Sequence, residues 1–295
     1  MKNGRPDTEY LYWRWTPRDC ELPRFIPKEF LNLMRNKSFT FIDDSIMRNH
    51  VQSLLCILSR EEQVDDVYHD EQYKSRRWYF PNRDFNLSVI WSPFLAKATV
   101  FEDNNGVSTD ITRLHLDKLD DVWTLNNLTI LIIMIRLLAA TTARVRTLLK
   151  VGFEYAYRKA LNLTMKFITS SKNKAYTFFR TTTPDHFENG EWNTGGYRNR
   201  TGPFKEGEID IGYVDEVMRK IELEEFDRAS AFGLNMKLFD TTLLSLLRPD
   251  GHPGVYRQYH PFVEENKNQK VQNDCLHWCL PGPIYSWNDI MMQML

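Results

Sequence analysis

The sequence of 295 residues predicts an α/β fold in which a mainly parallel sheet is covered by helices on both faces. Two observations lead to this prediction. Apolar segments with strand spacing and helix spacing alternate along the chain, and no repeat, low-complexity run or Gly/Ser linker interrupts them. Because α/β enzymes of this length are commonly one domain, residues 1–295 are expected to form a single domain.

The first three predicted elements place a serine at a turn. Pro27–Lys37 predicts a short helix, with proline in its first turn and apolar residues at helical spacing. Ser38–Asp43 has the aromatic and β-branched residues of a strand, and the apolar residues of Ile46–Ser59 fall on one helical face. Ser45 is therefore expected at a tight turn between a strand and a helix.

Four further elements continue the alternation of strand and helix. The pattern predicts strands at Leu87–Trp91 and Tyr176–Thr181, and helices at Gly152–Ser170 and around Tyr213–Phe226. Active sites of parallel sheets collect at the carboxyl ends of the strands, where Ser45 is expected. The backbone N–H groups of a helix N-terminus at that place are able to stabilise an oxyanion.

Composition excludes several classes of function. With 38 basic and 39 acidic residues the chain has no broad positive field, so no nucleic-acid partner is expected. The N-terminus lacks the apolar core of a signal peptide, and the longest apolar stretch, Leu128 to Ala140, is too short to span a bilayer. No metal site is predicted, because no second pair joins Cys275 and Cys279 to complete a tetrahedral set.

A second group of candidate residues lies near the C-terminus. Asp274 and His277 stand three positions apart, shortly before a Pro-Gly-Pro break. A general base requires a partner that fixes its tautomer, and a carboxylate this close in sequence is able to serve. The alternative is a structural histidine beside Trp278.

Several long segments carry a more specific signal than any short motif. In chain order they are NGRPDTEYLYWRW with CELPRF, IDDSIMRNHVQSLLC, WSPFLAKATVFEDNNGVST, LHLDKLDDVW, FRTTTPDHFENGEWNTGG, LRPDGHPG and DCLHWCLPGPIYSWND. Together they resemble the plant trichome-birefringence-like family, which is related to the SGNH/GDSL esterases. The resemblance implies an SGNH-like three-layer α/β/α sandwich. It also implies an O-acetyltransferase of the Golgi lumen that acts on xyloglucan, mannan, xylan or another cell-wall polysaccharide.

The resemblance implies roles for the residues that match the family's motifs. Ser45 would be the nucleophile, His277 the general base and acid, and Asp274 the residue that orients His277. Candidates for the oxyanion or substrate are Asp44, Arg48, Asn49 and His186. The alternatives are capping or surface pairing for Arg48 and Asn49, and loop anchoring for His186. No metal or bound cofactor is implied, and an acetyl donor such as acetyl-CoA would be a co-substrate beside the polysaccharide acceptor.

Two departures from the family pattern affect the expected activity. Asp43 replaces the glycine of the family's Gly-Asp-Ser block, and a carboxylate beside the nucleophile is expected to slow the reaction. The atypical segment 124–150 replaces a glycine-containing block that supplies an oxyanion-hole amide in the family. A catalytically impaired glycan-binding paralogue is therefore an alternative to the transferase. A carbohydrate acetyl esterase is another, because the same three residues are able to release the acetyl group to water.

A third departure concerns the N-terminus and the cysteines. The family's membrane anchor and upstream cysteines are expected to be missing, because the resemblance starts almost at Met1. Cys20 and Cys56 would then lack the partners that the resemblance implies. One of Cys275 and Cys279 would lack its partner too, since Tyr197 takes the place of that cysteine.

Overall fold

A computed structural model describes residues 3–102, 108–124, 130–133, 152–172, 175–192, 194–232, 236–263 and 271–295. The strands are β1 (Ser38–Asp43), β2 (Asp65–His69), β3 (Arg76–Phe80), β4 (Phe85–Trp91), β5 (Ala96–Glu102), β6 (Ser108–Leu119), β7 (Ile130–Ile133), β8 (Tyr176–Arg180) and β9 (Met236–Phe239). The α-helices are α1 (Pro27–Leu33), α2 (Ser45–Leu58), α3 (Asp121–Thr124), α4 (Phe153–Ser170), α5 (Tyr213–Ser230), α6 (Thr242–Leu246) and α7 (Tyr285–Met294).

A seven-stranded mixed sheet forms the centre of the fold, with the strand order β2-β3-β4-β1-β7-β8-β9. Strand β1 is parallel to both β4 and β7, and β8 is parallel to β7 and β9. Strands β2 and β3 extend the β4 edge in antiparallel pairing, and β5 and β6 form a separate two-stranded sheet. The predicted α/β fold is therefore confirmed, with an antiparallel ribbon added to its parallel part.

The alternating side chains of β1 contribute to two separate hydrophobic clusters. Phe39 and Phe41 belong to a cluster that includes residues of α1, α2 and α7. Ile42 belongs to a second cluster with residues of α4 and α5. Because successive side chains of a strand point to opposite faces, both faces of β1 are covered.

Most of the predicted elements are present, with shifted ends. The strand Ser38–Asp43 is as predicted, and the helices at Ser45–Leu58 and Phe153–Ser170 begin and end within one residue of the predicted ends. The first helix ends at Leu33 and not at Lys37, because Asn36 takes a left-handed backbone with φ of 58° that no helix continues.

Part of the atypical segment 124–150 is described. Residues 130–133 form β7, which pairs with β1 on one side and β8 on the other. The rest of the segment, apart from the end of α3 at Thr124, lies outside the described residues. In the described ranges no helix is long and apolar enough to cross a membrane.

Candidate active site

Ser45 is the first residue of α2, directly after the carboxyl end of β1. Asp44 caps the helix, and its Oδ1 accepts the backbone N–H of Ile46 at 2.8 Å. Asp43 is completely buried as the last residue of β1, and its φ is not positive. The backbone at position 43 therefore does not require glycine, and the aspartate is accommodated without the strain of a left-handed conformation.

Asp274 and His277 form a compact pair. The Oδ1 atom of Asp274 accepts the backbone N–H groups of Leu276 at 3.1 Å and of His277 at 2.9 Å. Oδ2 lies 2.9 Å from Nδ1 of the His277 ring. In the tautomer whose Nδ1 hydrogen is donated to this carboxylate, the ring lone pair is on Nε2, as a general base requires.

Arg257 is a member of the site that sequence reasoning missed. Its guanidinium pairs with Asp274, and its Nη1 lies 2.7 Å from Nδ1 of His277. Burial alone would raise the pKa of Asp274, but hydrogen bonds from His277 and the charge of Arg257 hold this pKa well below its usual range. Asp274 is therefore ionised at neutral pH and available to orient His277.

The helix that begins at Ser45 is bonded directly to the segment that carries His277. Oδ1 of Asn49 accepts the backbone N–H of Trp278 at 2.7 Å, and Nδ2 of Asn49 donates to the carbonyl of Trp278 at 3.2 Å. Asn49 lies about one helical turn beyond Ser45, and Trp278 directly follows His277. The two ends of the chain thus meet at the candidate nucleophile and base.

The second ring nitrogen of His277, Nε2, makes no hydrogen bond within the described residues. The atom is buried, and the Ser45 hydroxyl is not hydrogen-bonded to it. Catalytic hydrogen bonds are often long before substrate binds and shorten in the complex. An unpaired Nε2 is therefore compatible with the role of general base that the sequence predicts for His277.

Comparison with known proteins identifies the family of the chain. A family model described as "PC-Esterase: GDSL/SGNH-like Acyl-Esterase family found in Pmr5 and Cas1p" matches residues 22–294. The chain belongs to the PC-esterase family.

Curated relatives show to which group within the PC-esterase family the chain is similar. The chain is 52% identical to Protein trichome birefringence-like 26 of Arabidopsis thaliana, over 99% of this chain and 70% of the relative. It is 52% identical to Protein trichome birefringence-like 25 of the same plant, over 100% of this chain and 70% of the relative. It is also 40% identical to Xyloglucan O-acetyltransferase 1 of Populus trichocarpa, over 100% of this chain and 74% of the relative. The chain is thus a trichome-birefringence-like PC-esterase.

A second link in this PC-esterase fixes α2 deeper in the core. His50 is completely buried, and its Nε2 lies 3.1 Å from Oδ1 of Asn288 in α7. Nδ2 of Asn288 donates to the Ser53 hydroxyl at 2.9 Å. Burial and the charge of Arg180 keep the pKa of His50 well below its ordinary value, so the ring is neutral and acts as a structural link.

Arg48 and His186, the remaining predicted site residues, lie in different parts of the structure. Arg48 is half-buried on α2, and its guanidinium carbon lies 5.9 Å from the ring centroid of Trp91. His186 is buried, with Nδ1 at 2.7 Å from Nε2 of His252 and Nε2 at 2.8 Å from the carbonyl of Leu246. The contacts of His186 support its loop-anchoring alternative.

The rings of His186 and His252 make more short polar contacts than two neutral imidazoles have N–H groups to donate. Nδ1 of His252 lies 2.8 Å from the carbonyl oxygen of His277, so the pair makes three short contacts. Each contact requires one N–H, and two neutral rings carry only two. Burial lowers the pKa of both rings, which favours the neutral pair. One of the three contacts therefore lacks its hydrogen at neutral pH.

The cysteines and other possible metal ligands form no metal centre in the described part of the chain. All four cysteines are free, and Cys275 and Cys279 are not bonded to each other. Burial raises the pKa of the Cys275 thiol to about 12, which keeps it protonated and unreactive. No group of three or more His, Cys, Asp or Glu side chains within the described ranges is arranged to hold a metal ion.

Proposed function

We propose that the chain is an O-acetyltransferase that moves an acetyl group through an acyl-Ser45 intermediate to a hydroxyl of a cell-wall polysaccharide. The observation that carries the proposal is the link between Asn49 and Trp278, which brings the helix of Ser45 to the Asp274–His277 pair. The names of the relatives support xyloglucan as the first acceptor to test, with mannan and xylan next.

In the first step the Ser45 hydroxyl attacks the acetyl carbonyl of the donor. Its proton passes to Nε2 of His277 as the new ester bond forms, and then to the leaving group as the bond to the donor breaks. The imidazolium that forms in between is stabilised by the ionised Asp274 beside Nδ1. Backbone N–H groups at the start of α2 are the proposed donors for the developing oxyanion.

In the second step a sugar hydroxyl takes the place of the donor. It gives its proton to Nε2 of His277 and attacks the acetyl-Ser45 ester. The bond between Oγ and the acetyl group breaks, and Ser45 recovers the proton from His277. Neither step requires a metal or a redox cofactor.

The proposal extends to the architecture and the setting of the reaction. We propose one PC-esterase-like domain over residues 1–295, with the sheet as the middle layer of an SGNH-like α/β/α sandwich. The two hydrophobic clusters on β1, one with α1, α2 and α7 and one with α4 and α5, support this arrangement. The Golgi lumen is the proposed compartment, because the resemblance implies it.

Mass spectrometry of the Ser45 peptide tests the function. The folded chain is incubated with an acetyl donor, and the adduct is then followed after addition of xyloglucan oligosaccharides. An acetyl group that appears on Ser45, moves to the sugar and is absent in Ser45→Ala supports the transferase. Circular dichroism shows that both proteins are folded. No adduct on folded protein contradicts the proposal and favours the impaired paralogue.

A second candidate is an acetyl esterase, since the matching family model is described as an acyl-esterase family. The same constellation releases acetate when water takes the place of the sugar hydroxyl. Acetate release that does not slow when oligosaccharide is added would favour this second function over the first.

A further inference from the structure

An aromatic ring with two cations lies beside the candidate nucleophile. Trp91 is the last residue of β4 and is the direct partner of Asp43 in the parallel pairing of β4 with β1. Its half-exposed ring has the guanidinium carbon of Arg48 at 5.9 Å and Nζ of Lys74 at 5.4 Å from the ring centroid. Both distances are within the range of cation–π attraction.

The three residues come from three different elements that are fixed to one another. Arg48 lies on α2, about one turn beyond Ser45, and Lys74 lies in the turn between β2 and β3. That turn is bonded to β4, because the backbone N–H of Trp91 donates to the Ser75 hydroxyl at 3.0 Å. The cluster is thus held at the carboxyl end of β4, next to the strand that leads into Ser45.

The cluster carries two positive charges. Within the described part of the chain, neither Arg48 nor Lys74 forms an ion pair with a carboxylate. Of the carboxylates nearby in sequence, Asp43 is completely buried and two others accept backbone N–H groups. Asp44 accepts the N–H of Ile46, and Asp70 accepts the backbone N–H groups of Lys74 and Ser75.

We infer that Arg48, Lys74 and Trp91 bind the phosphate-bearing part of the acetyl donor, a thioester of the coenzyme A class. The inference rests on the proposed function, since it assigns the donor of that same site. A neutral polysaccharide gains little from two unpaired cations, whereas phosphate groups form charge-assisted hydrogen bonds with both. An adenine ring is able to stack on the indole.

The chemistry of the donor fits the first step at Ser45. The thioester C–S bond breaks as the Oγ–C bond forms, and the Ser45 proton leaves through His277 to give the free thiol of coenzyme A. The flexible pantetheine arm separates the acetyl group from the phosphates. The phosphates are therefore free to lie on the cluster while the acetyl group reaches Ser45.

Two thioester donors that differ in phosphate test the inference. Acylation of Ser45 is timed with acetyl-CoA and with S-acetylpantetheine, which has the same thioester but no phosphate. The natural chain is expected to have a KM for acetyl-CoA at least 10-fold lower, and added salt should raise it. Lys74→Gln is expected to raise the KM for acetyl-CoA about 10-fold and to leave the kinetics with S-acetylpantetheine unchanged.

The control and the other outcomes separate this inference from the function itself. Lys28→Gln removes the same charge from the exposed side of α1 and is expected to change neither KM. Equal use of the two donors by the natural chain, or an equal effect of Lys74→Gln on both, would overturn the inference while acylation of Ser45 still stood. Failure of both thioesters and of p-nitrophenyl acetate to acylate folded protein would overturn the proposed function together with the inference.

Discussion

The buried carboxyl of Glu222 predicts a pH-dependent stability that one substitution should remove. Glu222 lies on α5 and is completely buried. It accepts the backbone N–H of Thr182 with both oxygens, at 3.1 and 3.0 Å, and the Tyr157 hydroxyl also donates to it. It thereby holds the start of the loop that continues to His186. Burial outweighs these bonds and raises the pKa of Glu222 to about 8 from 4.5.

The sign and size of the effect follow from this shift. The folded state holds the proton more tightly than the unfolded state, so the stabilisation is complete below pH 4.5 and is lost as pH rises through about 8. At about 1.4 kcal/mol for each pH unit, the wild type loses about 3 kcal/mol between pH 4.5 and pH 7 through this group. Glu222→Gln loses about 1 kcal/mol at every pH through a weaker hydrogen bond, but it has no proton to release.

Urea unfolding at several pH values measures the difference. Glu222→Gln is expected to be slightly less stable than the wild type at pH 4.5 and about 2 kcal/mol more stable at pH 7. Glu224→Gln is the matched control, because Glu224 is a half-exposed glutamate of the same helix in a surface ion pair with Arg158. Its effect should stay below about 1 kcal/mol. A free-energy difference between wild type and Glu222→Gln that is the same at both pH values would refute the reasoning.

Three further substitutions act on the candidate site. Asp43→Gly removes a carboxylate beside the nucleophile and is expected to raise the rate of Ser45 acylation roughly 10-fold, and an unchanged burst rate would count against this. Asn49→Ala leaves the buried N–H and carbonyl of Trp278 unpaired and should lower the unfolding free energy by about 2–4 kcal/mol, and an unchanged free energy in a urea titration would contradict this. Asp274→Asn removes the orienting carboxylate and should slow the acylation of Ser45 by a factor of about 10²–10⁴. An acylation rate equal to that of the wild type would show that Asp274 does not orient His277 for catalysis.

The elements that the sequence predicted correctly share one property, which is a continuous apolar pattern. Strand β1 and helix α4 bury their apolar residues in the two hydrophobic clusters, so their spacing in the sequence reflects their packing. Strand β2 was missed because all its residues, DDVYH, are exposed and it has no apolar face. Strand β9 was missed because MKLF has only four residues, too few for a clear alternating pattern.

The site was predictable to the extent that its residues occur in recognisable motifs. Ser45, Asp274 and His277 lie in segments that resemble a known family, and the structure supplies the link between them through Asn49 and Trp278. Arg257 lies in no such motif, and its ion pair with Asp274 is a tertiary contact that no local pattern indicates. Lys74 was missed for the same reason, since its relation to Ser45 depends on the pairing of β3 with β4 and of β4 with β1.

The atypical segment 124–150 and the framework that positions Ser45 and His277 are expected to affect activity in different ways. The position of Ser45 relative to His277 depends on β1, on α2 and on the bonds of Asn49 and His50 to the C-terminal part of the chain. Within the described residues of the atypical segment 124–150, strand β7 at 130–133 pairs with β1 and so belongs to this framework. The segment replaces the block that would supply an oxyanion-hole amide by the family resemblance, and apart from Thr124 and β7 it lies outside the described residues. Loss of one such donor costs about 10²–10³ in rate but leaves nucleophile, base and orienting carboxylate in place. Changes in this segment should therefore slow the acylation of Ser45 without abolishing it, whereas loss of Asn49 should affect the positions of the catalytic groups themselves.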